Sequence, residues 1–201
     1  YDDPKVYDML NAGETLGVFQ MESGGMTQAI VNLKAQNLED IIAIISLYRP
    51  GPMESIPTYI SNRHNPENIR YKTPQLAHIL DVTNGCIVYQ EQVMQICREL
   101  AGFSYGQAMS KKKHDVMEKE RPHFVYGNQE PGHECPGCVA NGISAEIADA
   151  IFDEMSSFAS YAFNKSHAAA YAVVAYQTAY LKRHYKRQFM AALLTSVLDN
   201  T

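Results

Sequence analysis

Residues 41–47 read Ile-Ile-Ala-Ile-Ile-Ser-Leu, and no other stretch limits the fold as tightly. Asn37 stands in front of Leu38, Glu39 and Asp40, so a capping side chain and two carboxylates fall at the positive end of a helix. Pro50 disfavours the helical conformation of the residue before it, so this helix must stop near Arg49. A helix that is apolar almost all round has no face to give to water and is predicted to be buried. Burying it takes a sizeable core, and a chain of 201 residues that is 46% hydrophobic and 19% charged can supply one. Those proportions exclude disorder and fibre and fit a compact domain.

Helical signals recur on both sides of this segment. Asp3 before Pro4 reads as an N-cap and a first helical residue, with Val6, Met9 and Leu10 on one face and Gly13 closing the end. Residues 50–74 are dense in Pro, Asn and Gly with weak periodicity, which predicts ordered loop with short helical pieces. Residues 85–89 form the one convincing strand and run into a helix over residues 90–100, where Val93, Met94, Ile96, Cys97 and Leu100 recur at helical spacing before Gly102. A lone strand needs a partner, from outside the chain or in a small hairpin. A charged segment over residues 111–121 leads to an irregular loop over residues 126–142. Ser144 caps a helix with Ile147, Ala148, Ile151, Phe152 and Met155 on one face, and after a break around Asn164 a second long helix runs from about Ala168 to Tyr185. The expected fold is mainly α, an irregular helical domain with long loops and at most a minor β-hairpin.

Seventeen basic against twenty-two acidic residues give a net charge of −5, so contact with nucleic acid must come from local basic patches, and a histone-like or tail-like binder is excluded. The apolar runs fall far short of the roughly 20 residues that cross a bilayer, and no basic-then-apolar leader opens the chain. Four scattered cysteines do not make a disulfide scaffold. A cytoplasmic location and no membrane partner are the expectations.

Phe163, Asn164, Lys165, Ser166 and His167 sit together at a helix start, where free backbone N–H groups, the positive dipole end, an ammonium, a hydroxyl and an imidazole would converge on an anion. The plainer alternative is that Asn164 or Ser166 merely caps the helix while Lys165 is solvated. Tyr171, Tyr176 and Tyr180 on the same helix could stack on bases or fill the core. Two basic clusters could track a phosphate backbone: Lys111, Lys112 and Lys113, and Lys182, Arg183, Lys186 and Arg187 at the end of the long helix, where the dipole alone also favours cations. His133, Cys135 and Cys138 have metal-like spacing, and Cys135 and Cys138 also have that of a redox pair, but a structural zinc site needs a fourth ligand. No segment offers the alternating acids that two-metal nucleotidyl transfer requires, and Glu39 with Asp40 read as helix-start charges instead.

Five stretches carry a resemblance. Gly17-Val18-Phe19-Gln20-Met21-Glu22-Ser23-Gly24-Gly25-Met26 resembles a signature of the bacterial replicative DNA polymerases of the C family. Tyr48-Arg49-Pro50-Gly51-Pro52, Tyr89-Gln90-Glu91-Gln92-Val93-Met94, Met109-Ser110-Lys111-Lys112-Lys113, and Phe163-Asn164-Lys165-Ser166-His167-Ala168-Ala169-Ala170-Tyr171 follow in that family's order and at similar spacing. By this resemblance residues 1–201 are similar to the fingers region, the part that follows the palm and closes over the incoming nucleotide, with palm, thumb and C-terminal domains lying outside them.

The resemblance implies a parent enzyme that transfers a deoxynucleotide to a primer 3′ end with two Mg2+ ions held by palm aspartates upstream of Tyr1. The fragment would hold no cofactor and be catalytically silent alone. The implied partners are primer–template DNA, deoxynucleoside triphosphates and, through regions outside the fragment, other replicase subunits. Phe163, Asn164, Lys165, Ser166 and His167 would belong to the nucleotide pocket, Arg49, Lys111, Lys112 and Lys113 would be the nearest phosphate or DNA contacts, and Tyr171 would support the pocket. One departure stands out: the family carries a short segment ending in two arginines and an alanine where Ala108 here joins Met109 directly. Such a basic loop has little to pack against without a triphosphate, so a chain gap at Ala108–Met109 and mobility of Lys111, Lys112 and Lys113 are expected. A rival of another class is a small helical zinc-binding or interaction module built on the Cys135 to Cys138 loop.

Overall fold

The computed structural model describes residues 1–106, 114–159 and 163–198, with side chains over the same stretches except residues 114–117, 159 and 197. The Ala108–Met109 junction and Lys111, Lys112 and Lys113 lie outside the described residues. In chain order the α-helices are α1 (Pro4–Asn11), α2 (Gly24–Leu33), α3 (Leu38–Leu47), α4 (Ile56–His64), α5 (Ala77–Leu80), α6 (Gln90–Ala101), α7 (His114–Tyr126), α8 (Gly137–Ala140), α9 (Ala145–Ala159), α10 (Lys165–His184) and α11 (Lys186–Val197). The described residues form no strand, only isolated bridges joining Tyr89 to Phe163 and Asn128 to Cys135, so the mainly α expectation holds. The chain divides into two units, Tyr1–Ile56 with the chain from Lys165 onward, and Pro57–Asn164.

In the first unit α3 is the buried rod that its sequence demands. The Asp40 N–H donates to Asn37 Oδ1 at 2.9 Å, the Asp40 carboxylate accepts from the Gln36 N–H at 2.9 Å, and every residue from Asp40 to Leu47 is buried. Each fully buried Ile or Leu contributes about 1.5–3 kcal/mol by leaving water. The helix ends at Tyr48, and Gly51 at φ 98° turns the chain into Pro52. α3 packs along α10, whose buried stripe Ala168, Ala172, Ala175 and Ala179 recurs at helical spacing and is wholly inaccessible. With no room beyond a methyl, Ala172→Leu is expected to cost about 1–3 kcal/mol, whereas Ala170→Leu on the exposed face should stay within about 0.5 kcal/mol, as urea midpoints will show.

Helix α2 was not expected, because Gly24 and Gly25 at its start disguise it. Ser23 caps it, its Oγ accepting from the Met26 N–H at 3.4 Å. A Cβ at Gly25 would stand 2.0 Å from the Tyr48 hydroxyl oxygen, so the tyrosine tip lies directly over the first turn of α2 and a larger residue there must push it aside. Two of the stretches that carry the family resemblance therefore meet in space.

The second unit has its own core, in which Ile96, Leu100, Phe124, Phe152 and Met155 are fully enclosed and the Phe124 ring meets Phe103 at 6.3 Å and Phe152 at 5.4 Å. Residues 85–89 are not the expected strand. The Gln92 side chain, itself buried, accepts from the N–H groups of Val88 and Tyr89 at 2.9 and 3.0 Å and donates to Ile79 O and Thr83 Oγ1, so these backbone donors are satisfied without a ladder. The charged segment continues as helix α7 despite Pro122, and within it Arg121 pairs with Glu118, Asp149 and Asp153 while its guanidinium covers the Phe152 ring at 4.7 Å. The loop expected over residues 126–142 contains the short helix α8 and the Asn128–Cys135 bridge.

Candidate functional site

Helix α10 begins at Lys165, three residues before the expected start, so Lys165, Ser166 and His167 form its first turn. The backbone N–H groups of a first turn have no intrahelical acceptor and lie at the positive end of the dipole. Ser166 and His167 are exposed, and Lys165 is half-buried with its Nζ 3.0 Å from Glu39 Oε2 in the first turn of α3. The His167 ring lies on Tyr171 one turn on, at 4.3 Å between centroids, and Tyr171 in turn meets Phe19 at 5.3 Å. Tyr171 thus supports the helix start rather than facing outward alone.

Phe19 is held by its backbone. Its N–H donates to Thr178 Oγ1 at 3.0 Å, and the Gly17 N–H donates to Glu22 Oε1 at 2.7 Å. The Lys182 ammonium closes the same loop by donating to the carbonyls of Glu14 and Leu16 at 2.8 and 2.7 Å. Lys182 is 6% exposed, and burial lowers its pKa, opposed by the nearby Glu14 carboxylate. This corrects the second basic cluster: Lys182 points inward as a loop clamp, Lys186 stands 4.0 Å from Glu14, and Arg183 and Arg187 are exposed. Tyr176 is core, its Oη accepting from the Asp3 N–H at 2.9 Å, and the Tyr180 ring lies on His184 at 4.5 Å.

Of the other candidates, Phe163 and Asn164 directly precede Lys165 in the chain. Phe163 and Asn164 close the second unit, where Phe163 O accepts from the Gln90 N–H at 2.9 Å and Asn164 Nδ2 donates to Glu91 Oε1 at 2.7 Å. Arg49 in the first unit donates from Nε to Ser46 O at 3.1 Å, capping the end of α3, and burial lowers its pKa. His133 is exposed while Cys135 and Cys138 are buried, and among the described residues no three His, Cys, Asp or Glu side chains are grouped to hold a metal. Burial, with Cys97 and Cys135 adding to it, pushes the Cys138 thiol up to about 12, opposite to the thiolate that metal binding or disulfide exchange needs. Neither the zinc nor the redox reading of this loop gains support among the described residues. Phe19 and Lys182 were missed as site-building residues: the first was one apolar letter in a motif, the second one cation in a run of them.

A family model for the finger domain of the bacterial DNA polymerase III alpha subunit matches residues 1–132. Relatives named DNA polymerase III subunit alpha are 50% identical in Thermus aquaticus over 96% of this chain, 49% in Chlamydia trachomatis over 99%, and 46% in Staphylococcus epidermidis over 100%. The chain spans only 16–18% of the length of these relatives. The alignment to the Staphylococcus protein runs over 206 residues against the 201 of this chain, so that relative carries residues lacking here. With a family model over most of its length and relatives of this identity across all of it, the chain belongs to the bacterial DNA polymerase III alpha subunit finger-domain family.

Proposed function

We propose that this chain is the fingers part of a template-directed DNA polymerase and that the first turn of α10 grips the triphosphate of the incoming deoxynucleotide. The observation that carries this is the meeting of a lysine ammonium, a serine hydroxyl and an imidazole in the first turn of one 20-residue helix, at the positive end of its dipole. Lys165 supplies the charge, Ser166 and His167 supply donors, and Tyr171 over Phe19 sets the position of the His167 ring. Primer–template DNA is the second ligand, with Arg49, Lys111, Lys112 and Lys113 as backbone contacts, and other replicase subunits are partners through regions outside residues 1–201. Among the described residues no helix is long and apolar enough to cross a membrane, and the proposed setting is the bacterial cytoplasm.

Polymerases of this kind use Mg2+. Among the described residues no three His, Cys, Asp or Glu side chains are grouped to hold a metal, and the ion belongs, on this reading, to a palm domain outside residues 1–201. What the fingers residues do is bind and orient phosphate. Losing one charge-assisted phosphate contact costs about 1.5–3 kcal/mol, so Lys165→Ala in the full-length polymerase is expected to lower kcat/KM for deoxynucleotides about ten- to hundredfold. Primer-extension kinetics measure this, and a change under about twofold would reduce Lys165 to a solvated helix-start residue.

A further inference from the structure

Lys165 and Glu39 come from the starts of two different helices, both side chains are partly open to water, and they meet at 3.0 Å. Glu39 is not needed to hold its own helix start, because Asn37 caps α3 and Asp40 takes the Gln36 N–H. Its carboxylate nevertheless sits in the first turn of α3, where the dipole keeps a negative charge comfortable even without a partner. We propose that Glu39 is a built-in competitor for the triphosphate: its carboxylate occupies the Lys165 ammonium when no nucleotide is bound and must give way before the ammonium can reach a phosphate.

This rests on the assignment of the α10 start as the triphosphate site. The exchange is chemically even-handed, one anion leaving the ammonium as another arrives. The incoming triphosphate carries several negative charges against the single one of Glu39, so it wins at saturation. An exposed carboxylate–ammonium pair is weak enough to be displaced yet strong enough to be felt. A site whose competent state is only partly populated binds with its intrinsic dissociation constant divided by that population, so Glu39 raises the apparent nucleotide KM. Glu39 is thus a positioning residue that acts on nucleotide through Lys165.

The test uses the full-length polymerase on primer–template DNA, with wild type, Glu39→Gln, Lys165→Ala and the double variant. Glu39→Gln is expected to lower the deoxynucleotide KM by about two- to fivefold, the range set by an exposed ion pair, with the gain on KM and not on kcat. In the Lys165→Ala background the same substitution is expected to change KM by less than about 1.5-fold, since the residue through which it acts is gone. An unchanged KM for Glu39→Gln overturns the proposal. A raised KM does so too, because the pair then presents Lys165 to the nucleotide rather than withholding it. An equal gain in both backgrounds also overturns it, because Glu39 then merely repels the triphosphate through space. If Lys165→Ala alone leaves KM and kcat unchanged, the triphosphate assignment falls and takes this proposal with it; if Lys165→Ala raises KM but Glu39→Gln does not lower it, the proposal falls alone.

Discussion

Gly137→Ala is expected to cost about 3 kcal/mol or more in the second unit. Gly137 has φ 78°, a conformation that side-chain-bearing residues rarely adopt. A Cβ there would also stand 2.2 Å from the Gly127 nitrogen and 2.6 Å from the Tyr126 carbonyl carbon, and neither backbone atom can swing aside as a side chain would. The crossing it would force apart is tied by Asn128 N–H to Cys135 O at 2.9 Å and Cys135 N–H to Asn128 O at 3.0 Å, and Cys135 and Cys138 in it are buried. Gly132→Ala isolates the two causes, because Gly132 has φ 84° but nothing within 4 Å of the added carbon. Urea denaturation of both variants should place Gly137→Ala at least about 2 kcal/mol below Gly132→Ala. Equal losses would mean that only the backbone angle matters and that the crossing is not tight.

Lys182→Met should be nearly as damaging in the first unit. Methionine keeps the apolar stem but removes the ammonium that bonds to Glu14 O and Leu16 O. Two carbonyls then lose a charge-assisted partner at a site only 6% exposed, each at a cost of about 1–3 kcal/mol, offset in part by the desolvation that burying the charge no longer demands. The expected net loss is about 2–4 kcal/mol, a fall in Tm of at least about 4 °C for a chain of this size. Because the clamped loop continues to Phe19, which lies against Tyr171 and through it His167, the same variant in the full-length polymerase should raise the deoxynucleotide KM without Lys182 touching nucleotide. Calorimetry reads the first effect and steady-state kinetics the second. A variant as stable as wild type would show that water replaces the ammonium at both carbonyls.

The buried helix α3, the capped helices α1 and α9, and the periodic helix α6 were legible because each pairs a local start or stop signal with an apolar pattern that only one period satisfies. Helix α2 was not, since Gly24 and Gly25 are poor helix formers and the Tyr48 hydroxyl that lies against Gly25 comes from the far end of α3. The false strand at residues 85–89 shows the converse. Its β-rich composition reflects burial, while the donors a ladder would have used are taken by Gln92, a side chain whose reach no propensity describes. At the site, Lys165, Ser166 and His167 were readable as a helix start with anion-binding chemistry, and the family motif pointed to the same residues. Lys182 was read as surface because a sequence shows the sign of a charge but not its direction. Glu39 was read only as a helix-start charge, because its meeting with Lys165 depends on how α3 lies along α10.

The central claim, that the triphosphate sits on the first turn of α10, is tested most directly by photocrosslinking. The probe is a deoxynucleoside triphosphate bearing an aryl azide on its γ-phosphate, irradiated with the full-length polymerase on primer–template DNA and mapped by peptide mass spectrometry. Labelling that falls within residues 165–171, is competed by unmodified deoxynucleotide, and drops about tenfold or more in Lys165→Ala is the expected result. Competed labelling confined to other segments, with none at the start of α10, would contradict it.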